Sequence, residues 1–247
     1  MANWKDPQPT RPGFGASPSL EGTTGGRVTY DAGLRRHMLS IYNYMTSGVL
    51  LSGIVALLMA RSGLAATLMM SPVKWLFILS PLAIVLTMSF GQGKFSTGTL
   101  KAMFWAFATL MGVSLSTIFL VYTGGSIATT FFATAAAFAG LSLFGYTTQK
   151  DLSGFGTFLI MGVIGLLVAS VLNIWLQSSG LMFAISALGV LIFAGLTAYD
   201  TQMLKRQYQV VAGSDFAGKA VVMGALTLYL DFINMFQFLL SFMGSRD

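Results

Sequence analysis

Two aspartates, Asp200 and Asp231, stand inside stretches that are otherwise apolar enough to cross a bilayer, in a chain with only 8 acidic residues among 247. A carboxylate at membrane depth costs roughly 2.5–3.5 kcal/mol on insertion scales, so it must be neutralised, paired or hydrated. Two carboxylates side by side in a poorly solvated site cannot both ionise cheaply, and they share one proton. Such a pair takes up a proton in acid and repels itself open in alkali, which is the chemistry of a pH sensor and ion gate. Doubly ionised, it attracts a hard cation such as Ca²⁺, which prefers several oxygen ligands. Two carboxylates alone make that metal site weak and transient.

Helical periodicity brings other polar groups near them. At about 100° per residue, Gly224, Thr227, Asp231 and Asn234 fall on one face. Ser186, Gly189, Thr197 and Asp200 lie within a second narrow arc, interrupted by Phe193. Lipid cannot satisfy such groups, so both stripes should point into a bundle. Asn234 and Thr227, with backbone carbonyls, could add oxygens to a cation site. Taken singly, each reads more simply as an interhelical packing contact. Whether the carboxyls meet depends on register. If Lys205 and Lys219 mark one interface, the two carboxyls differ in depth by about 10 Å and miss each other. If the last helix begins deeper in the cytosol, near Asp215, they meet.

Composition excludes much else. With no cysteine and one histidine (His37), disulfides, thiol catalysis and zinc sites built on Cys or His clusters are ruled out. Gly112-Val113-Ser114 lacks an embedded histidine to serve as the base of an intramembrane protease. No phosphate-binding or dinucleotide motif is present. We therefore expect no enzyme, no tightly bound cofactor and no nucleic acid partner. The net charge of +6 reflects basic loops beside a lipid bilayer.

The elements that must carry the aspartates follow from hydropathy. Only 9% of residues are charged and 55% are hydrophobic, against about 25% charged in a soluble domain. Residues 1–34, with Pro7, Pro9, Pro12 and Pro18, read as a disordered cytoplasmic tail. Residues 35–247 read as an all-α membrane domain of seven transmembrane helices. The spans are His37–Ala60, Val73–Phe90, Leu100–Tyr122, Ser126–Tyr146, Gly154–Leu176, Leu181–Asp200 and Phe216–Gly244. Each is near the ~20 residues that a crossing needs. Of 14 basic residues, all but Arg61, Lys74 and Arg246 fall on the side of the N-terminus. That bias sets the N-terminus in the cytoplasm and the C-terminus outside.

Two segments resemble a known family. Ile192-Phe193-Ala194-Gly195-Leu196-Thr197-Ala198-Tyr199-Asp200-Thr201-Gln202 is similar to the sixth-helix motif of the Bax inhibitor-1/YccA family, and Leu228-Tyr229-Leu230-Asp231-Phe232-Ile233-Asn234-Met235-Phe236 to its C-terminal signature. Lys150-Asp151-Leu152-Ser153 and Tyr42-Asn43-Tyr44-Met45 resemble its bacterial members. The resemblance implies six helices around a central seventh and residence in a bacterial inner membrane. It implies a pH-sensitive Ca²⁺ leak, with Asp200 and Asp231 as the paired sensor and Ca²⁺ and protons as the species handled. Some bacterial relatives instead bind and restrain a membrane-bound AAA+ protease, so a regulatory role toward such a protease is the alternative. Some members latch one aspartate with an arginine after the second helix. The comparable stretch here, Gly91-Gln92-Gly93-Lys94, offers only Lys94, and lysine lacks the bidentate fork of arginine.

Overall fold

Among the described residues, seven helices are long and apolar enough to cross a membrane. The computed structural model describes residues 21–245, with side chains from residue 32. The first helix, α1, runs Glu21–Arg61 and is followed by the short α2 (Leu64–Met70). Then come α3 (Lys74–Gly91), α4 (Thr97–Leu115, extended by a 3₁₀ turn, Ser116–Leu120), α5 (Gly124–Thr147), α6 (Ser153–Leu176), α7 (Ser179–Val211) and α8 (Ala217–Met243). Residues 1–20 of the expected tail lie outside the described residues. Helix α1 begins ahead of the boundary expected at residue 34.

Turn chemistry sets these limits. Ser96, Thr123 and Ser178 each accept a hydrogen bond from a backbone amide of the first turn, of α4, α5 and α7 respectively. A side-chain oxygen there serves an amide that has no partner within the helix. Gly213, at φ 76°, makes the reversal between α7 and α8, a conformation open to glycine because it has no Cβ.

Helix α8 is the central element. In its most apolar stretch 61% of residues are buried, against 39% or less in every other span. It packs on α7 most extensively, then on α1, α5 and α4. Helix α3 lies outside, against α4, and α6 lies outside, against α7. The outer helices turn large apolar side chains outward, such as Leu79 and Leu82 on α3 and Ile160, Ile164 and Val168 on α6. That is the composition of a lipid-facing surface. The turns holding Lys94, Lys150 and Gly213 gather at one end of the bundle, called here the basic end. Trp75 and Trp175 are exposed at the opposite end, as in the aromatic belt of an interface.

Tyr229 locks the core. It is fully buried on α8, and its hydroxyl lies 2.6 Å from Ser52 Oγ of α1. Ser52 Oγ also lies 2.6 Å from the Ala108 carbonyl of α4. Phe107 and Phe104 meet the Tyr229 ring edge-on at 5.0 and 6.3 Å. Close approach of α1 to α4 needs Gly112, where a Cβ would stand 2.7 Å from the Ser52 carbonyl oxygen.

Candidate functional site

Asp200 sits on α7 and Asp231 on α8, both buried. The most extensive helix pairing in the molecule, α7 on α8, sets the two carboxyls side by side. A hydrogen bond between two carboxyls requires a donor, and ionised carboxylates have none. Two carboxyls set this close in a poorly solvated site stay together only while one of them keeps a proton to donate. Oδ2 of Asp231 is buried and has no hydrogen-bond partner among the described residues. Among the described residues the one ion pair lies elsewhere, so neither carboxyl has a cationic partner.

The register follows from the length of α7. Instead of ending at the membrane surface near Lys205, α7 continues to Val211, and α8 starts at Ala217. Measured from these ends, Asp200 lies about 16 Å and Asp231 about 21 Å into the bundle. The lysines are thus poor markers of a common plane. Lys205 Nζ donates to the Tyr146 carbonyl (2.7 Å), and Lys219 Nζ to the carbonyls of Gln92 and Gly93 (both 3.3 Å).

The remaining expected site residues separate. Thr197 is fully buried, and its hydroxyl donates to the Phe193 carbonyl of its own helix at 2.8 Å. Thr227 and Asn234 are half-buried and likewise bond back, to Met223 (3.2 Å) and Leu230 (2.8 Å). Lys94 does not act as a latch here. It is exposed in the turn after α3, at the basic end, and pairs with neither carboxyl. With the carboxyls some 16–21 Å deeper, a lysine side chain cannot span the distance. Among the described residues no three His, Cys, Asp or Glu side chains cluster as metal ligands. A cation at the pair would draw its further oxygens from hydroxyls, carbonyls and water.

Around the pair the structure adds groups that spacing in the chain did not reveal. Thr201, next to Asp200, donates to the Thr197 carbonyl at 2.7 Å and lies 2.9 Å from Ser142 Oγ of α5. Ser142 in turn lies 2.5 Å from the Tyr42 hydroxyl of α1. This hydroxyl chain ties α7 to α5 and α1 beside the carboxyls. Beyond Asp200, the extension of α7 grips the α5–α6 loop. Gln202 Nε2 donates to the Lys150 carbonyl (2.8 Å), and its Oε1 accepts from the Leu152 amide (3.0 Å). Arg206 pairs with Asp151 at 2.8 Å. Hydrogen bonds from the Ser153 hydroxyl, then its amide, then Arg206 hold the Asp151 carboxyl down at about 2.

A family model described as "Inhibitor of apoptosis-promoting Bax1" matches residues 34–247. The chain belongs to this Bax inhibitor family. It is 48% identical over 233 residues to an uncharacterized protein of Caulobacter vibrioides, covering 89% of this chain and 92% of the relative. It is 45% identical over 219 residues to the inner membrane protein YbhL of Escherichia coli, covering 87% and 94%. The protein RP147 of Rickettsia prowazekii is 42% identical over 234 residues, covering 91% and 95%. The family match spans all seven helices, so both aspartates lie on the shared fold.

Proposed function

We propose that this protein is a pH-sensitive cation leak of a bacterial inner membrane, carrying Ca²⁺, with Asp200 and Asp231 as its gate and not as catalysts. The observation that carries the reading is the direct contact of two buried carboxyls without a cation beside them. With one proton shared, the pair draws α7 and α8 together. Loss of that proton leaves two like charges in a medium that screens them poorly, which pushes the helices apart. The same two charges then present four oxygens to a passing divalent cation. Bound too tightly, an ion would not leave, so a site of two carboxylates suits passage better than storage.

Among other titratable groups on the packed helices, Tyr229 is bonded to Ser52 and Tyr42 to Ser142, while His37 of α1 lies against the Tyr208 ring at 5.2 Å with its Nε2 buried and unbonded. Lys205 and Lys219 sit on loop carbonyls. The pair is then the element that reads pH within the membrane. Orientation follows the charge bias, with the basic end and the N-terminus in the cytoplasm.

The test is Ca²⁺ entry into dye-loaded liposomes at several pH values. Flux through the native protein should rise with pH as the shared proton leaves. Asp200→Asn/Asp231→Asn should give low flux with no pH dependence, because an amide pair neither ionises nor repels itself. Equal flux from the native and double-variant proteins would end the leak reading and favour the regulatory alternative. In that reading the cytoplasmic end restrains a membrane-bound protease, and the platform of α7 clamped on residues 150–153 is the surface available to it.

A further inference from the structure

Helix α6 leans on α7 and barely meets α8. Between the three lies a cleft of about 560 Å³, lined half by apolar side chains of the three helices and half by Ser170 and Asn173 of α6, Ser186 of α7, and Asn234, Gln237 and Ser241 of α8. Six polar side chains around one cleft are unusual in spans whose outward faces are Leu, Ile and Val. Ser186 and Ser241 satisfy each other at 2.9 Å. The amides do not. Asn234 Nδ2 donates to its own helix, which leaves its Oδ1 without a partner among the described residues. Asn173 Oδ1 accepts from the Ser178 amide (3.0 Å), which leaves its NH₂ group unserved. Gln237 is exposed at this end of α8.

Leaving such amides against hydrocarbon costs several kcal/mol each. Water in the cleft removes that penalty, and the volume holds on the order of ten molecules. The cleft is also continuous in depth. Asn173 and Ser241 stand within a turn of the ends of α6 and α8, at the end of the bundle opposite the basic one. Asn234 stands roughly 10 Å further in than Ser241, and Asp231 is only about 4.5 Å beyond it along the same helix.

We infer that the α6–α7–α8 cleft is a water-filled vestibule that brings hydrated cations from the face opposite the basic end to within one helical turn of Asp231. Its use as a cation route rests on the leak proposed above, but its hydration does not. The unpartnered oxygen of Asn234 is the innermost polar station, placed to replace one water of a cation before it meets the carboxyls.

The absence of cysteine in the chain gives a clean test. Single variants Asn234→Cys, Ser170→Cys, Ser241→Cys and Ile164→Cys are placed in lipid nanodiscs and treated with a charged, cationic methanethiosulfonate. Only a thiolate reacts, so a thiol in hydrocarbon is protected. The three cleft positions should react at least about tenfold faster than Ile164→Cys, which faces outward on α6. Cleft positions labelling at the Ile164→Cys rate would overturn the vestibule. Ser170→Cys and Ser241→Cys report on the same space should Asn234→Cys fold poorly. In liposomes, full modification of Asn234→Cys should cut Ca²⁺ flux several-fold, with Ile164→Cys unaffected. Unchanged flux after full modification would overturn the route while leaving the cleft wet. A failed carboxyl gate shows differently, as native flux from the Asp200→Asn/Asp231→Asn protein alongside normal cleft labelling.

Discussion

Helix α8 is built in two different ways on either side of Asp231. Toward the basic end, Val222, Ala225 and Leu228 are fully buried, and Gly224 lets Leu204 of α7 and Ile41 of α1 close over the backbone. A Cβ there would stand 2.8 Å from Leu204 Cδ2 and 3.1 Å from Ile41 Cδ1. Toward the other end, Asn234, Gln237 and Ser241 line an open cleft. The dry half is apolar side chains from three helices meeting at one point; the other half buries Phe232, Ile233, Met235 and Phe236 on one side and turns Asn234, Gln237 and Ser241 to the gap. If the proposed leak operates, its resistance to ion passage lies on the basic side, in packing. The carboxyl pair sits at the boundary, where a change of charge can strain that packing.

The strongest way to break this contrast is to open the dry half. Leu204→Ala removes a side chain that is 2% exposed and packs on Gly224. Large-to-small core changes of this kind cost about 2–5 kcal/mol, depending on how well the site collapses. The expected outcome is a lower thermal midpoint together with Ca²⁺ leak that is high even at acid pH, because the barrier no longer needs the pair to open it. Leu204→Met keeps the volume and should keep the seal. A destabilised Leu204→Ala protein that still leaks only at alkaline pH would place the barrier somewhere other than this layer.

A smaller effect sharpens the same contrast by touching the core without touching the seal. Tyr229→Phe loses the 2.6 Å contact with Ser52 on the α1 and α4 side. Ser52 keeps the carbonyls of Ala108 and Gly48 as acceptors, so the loss should stay near 1 kcal/mol, the net value of one hydrogen bond. Thermal unfolding should shift slightly, while the pH profile of flux should not move. A shifted profile would mean that the core hub and the gate are one mechanical unit.

The seven spans were legible because a bilayer demands long apolar runs, and nothing else in the chain imitates them. Observed limits differ from those read in the sequence by a few residues, except at α1 and α7. The first helix begins at Glu21, inside the Gly-rich stretch taken for tail, and α7 runs past Asp200 to Val211. The α7 extension was hidden because Lys205 and Arg206 look like residues at a membrane surface. They are instead side chains that tie a helix to a loop, one on the Tyr146 carbonyl and one on Asp151. The short α2 has no hydropathy signature of its own. The contact of the two carboxyls could be framed but not settled from spacing, since it depends on where α7 and α8 turn. Hydroxyl pairs such as Tyr229 with Ser52 and Tyr42 with Ser142 join residues 177 and 100 positions apart. No local pattern encodes pairings at that separation.

The smallest expected effect concerns the polar clamp that lies above the dry half. The Asp151 carboxyl is held at about 2, against an ordinary 3.8, by the Ser153 hydroxyl and amide and by Arg206. A carboxyl whose value is lowered by folding stabilises the fold above its ordinary value, and that contribution fades as pH falls toward the folded value. The grip of Arg206 on the loop should thus be complete above about pH 4 and vanish near pH 2. Amide hydrogen exchange over residues 150–155 should quicken across that window, and Asp151→Asn at neutral pH should mimic the acid state. Both side chains are substantially exposed, 46% and 67%, so water screens the pair and the change in exchange should be modest. Helix α7 would lose one of its holds on the loop, because Gln202 still bonds the Lys150 carbonyl and the Leu152 amide and Arg206 still reaches the Ser153 hydroxyl at 3.0 Å. If Asp151→Asn leaves exchange untouched, the remaining holds position the loop, and the ion pair at the basic end is a surface ornament unconnected to the seal beneath it.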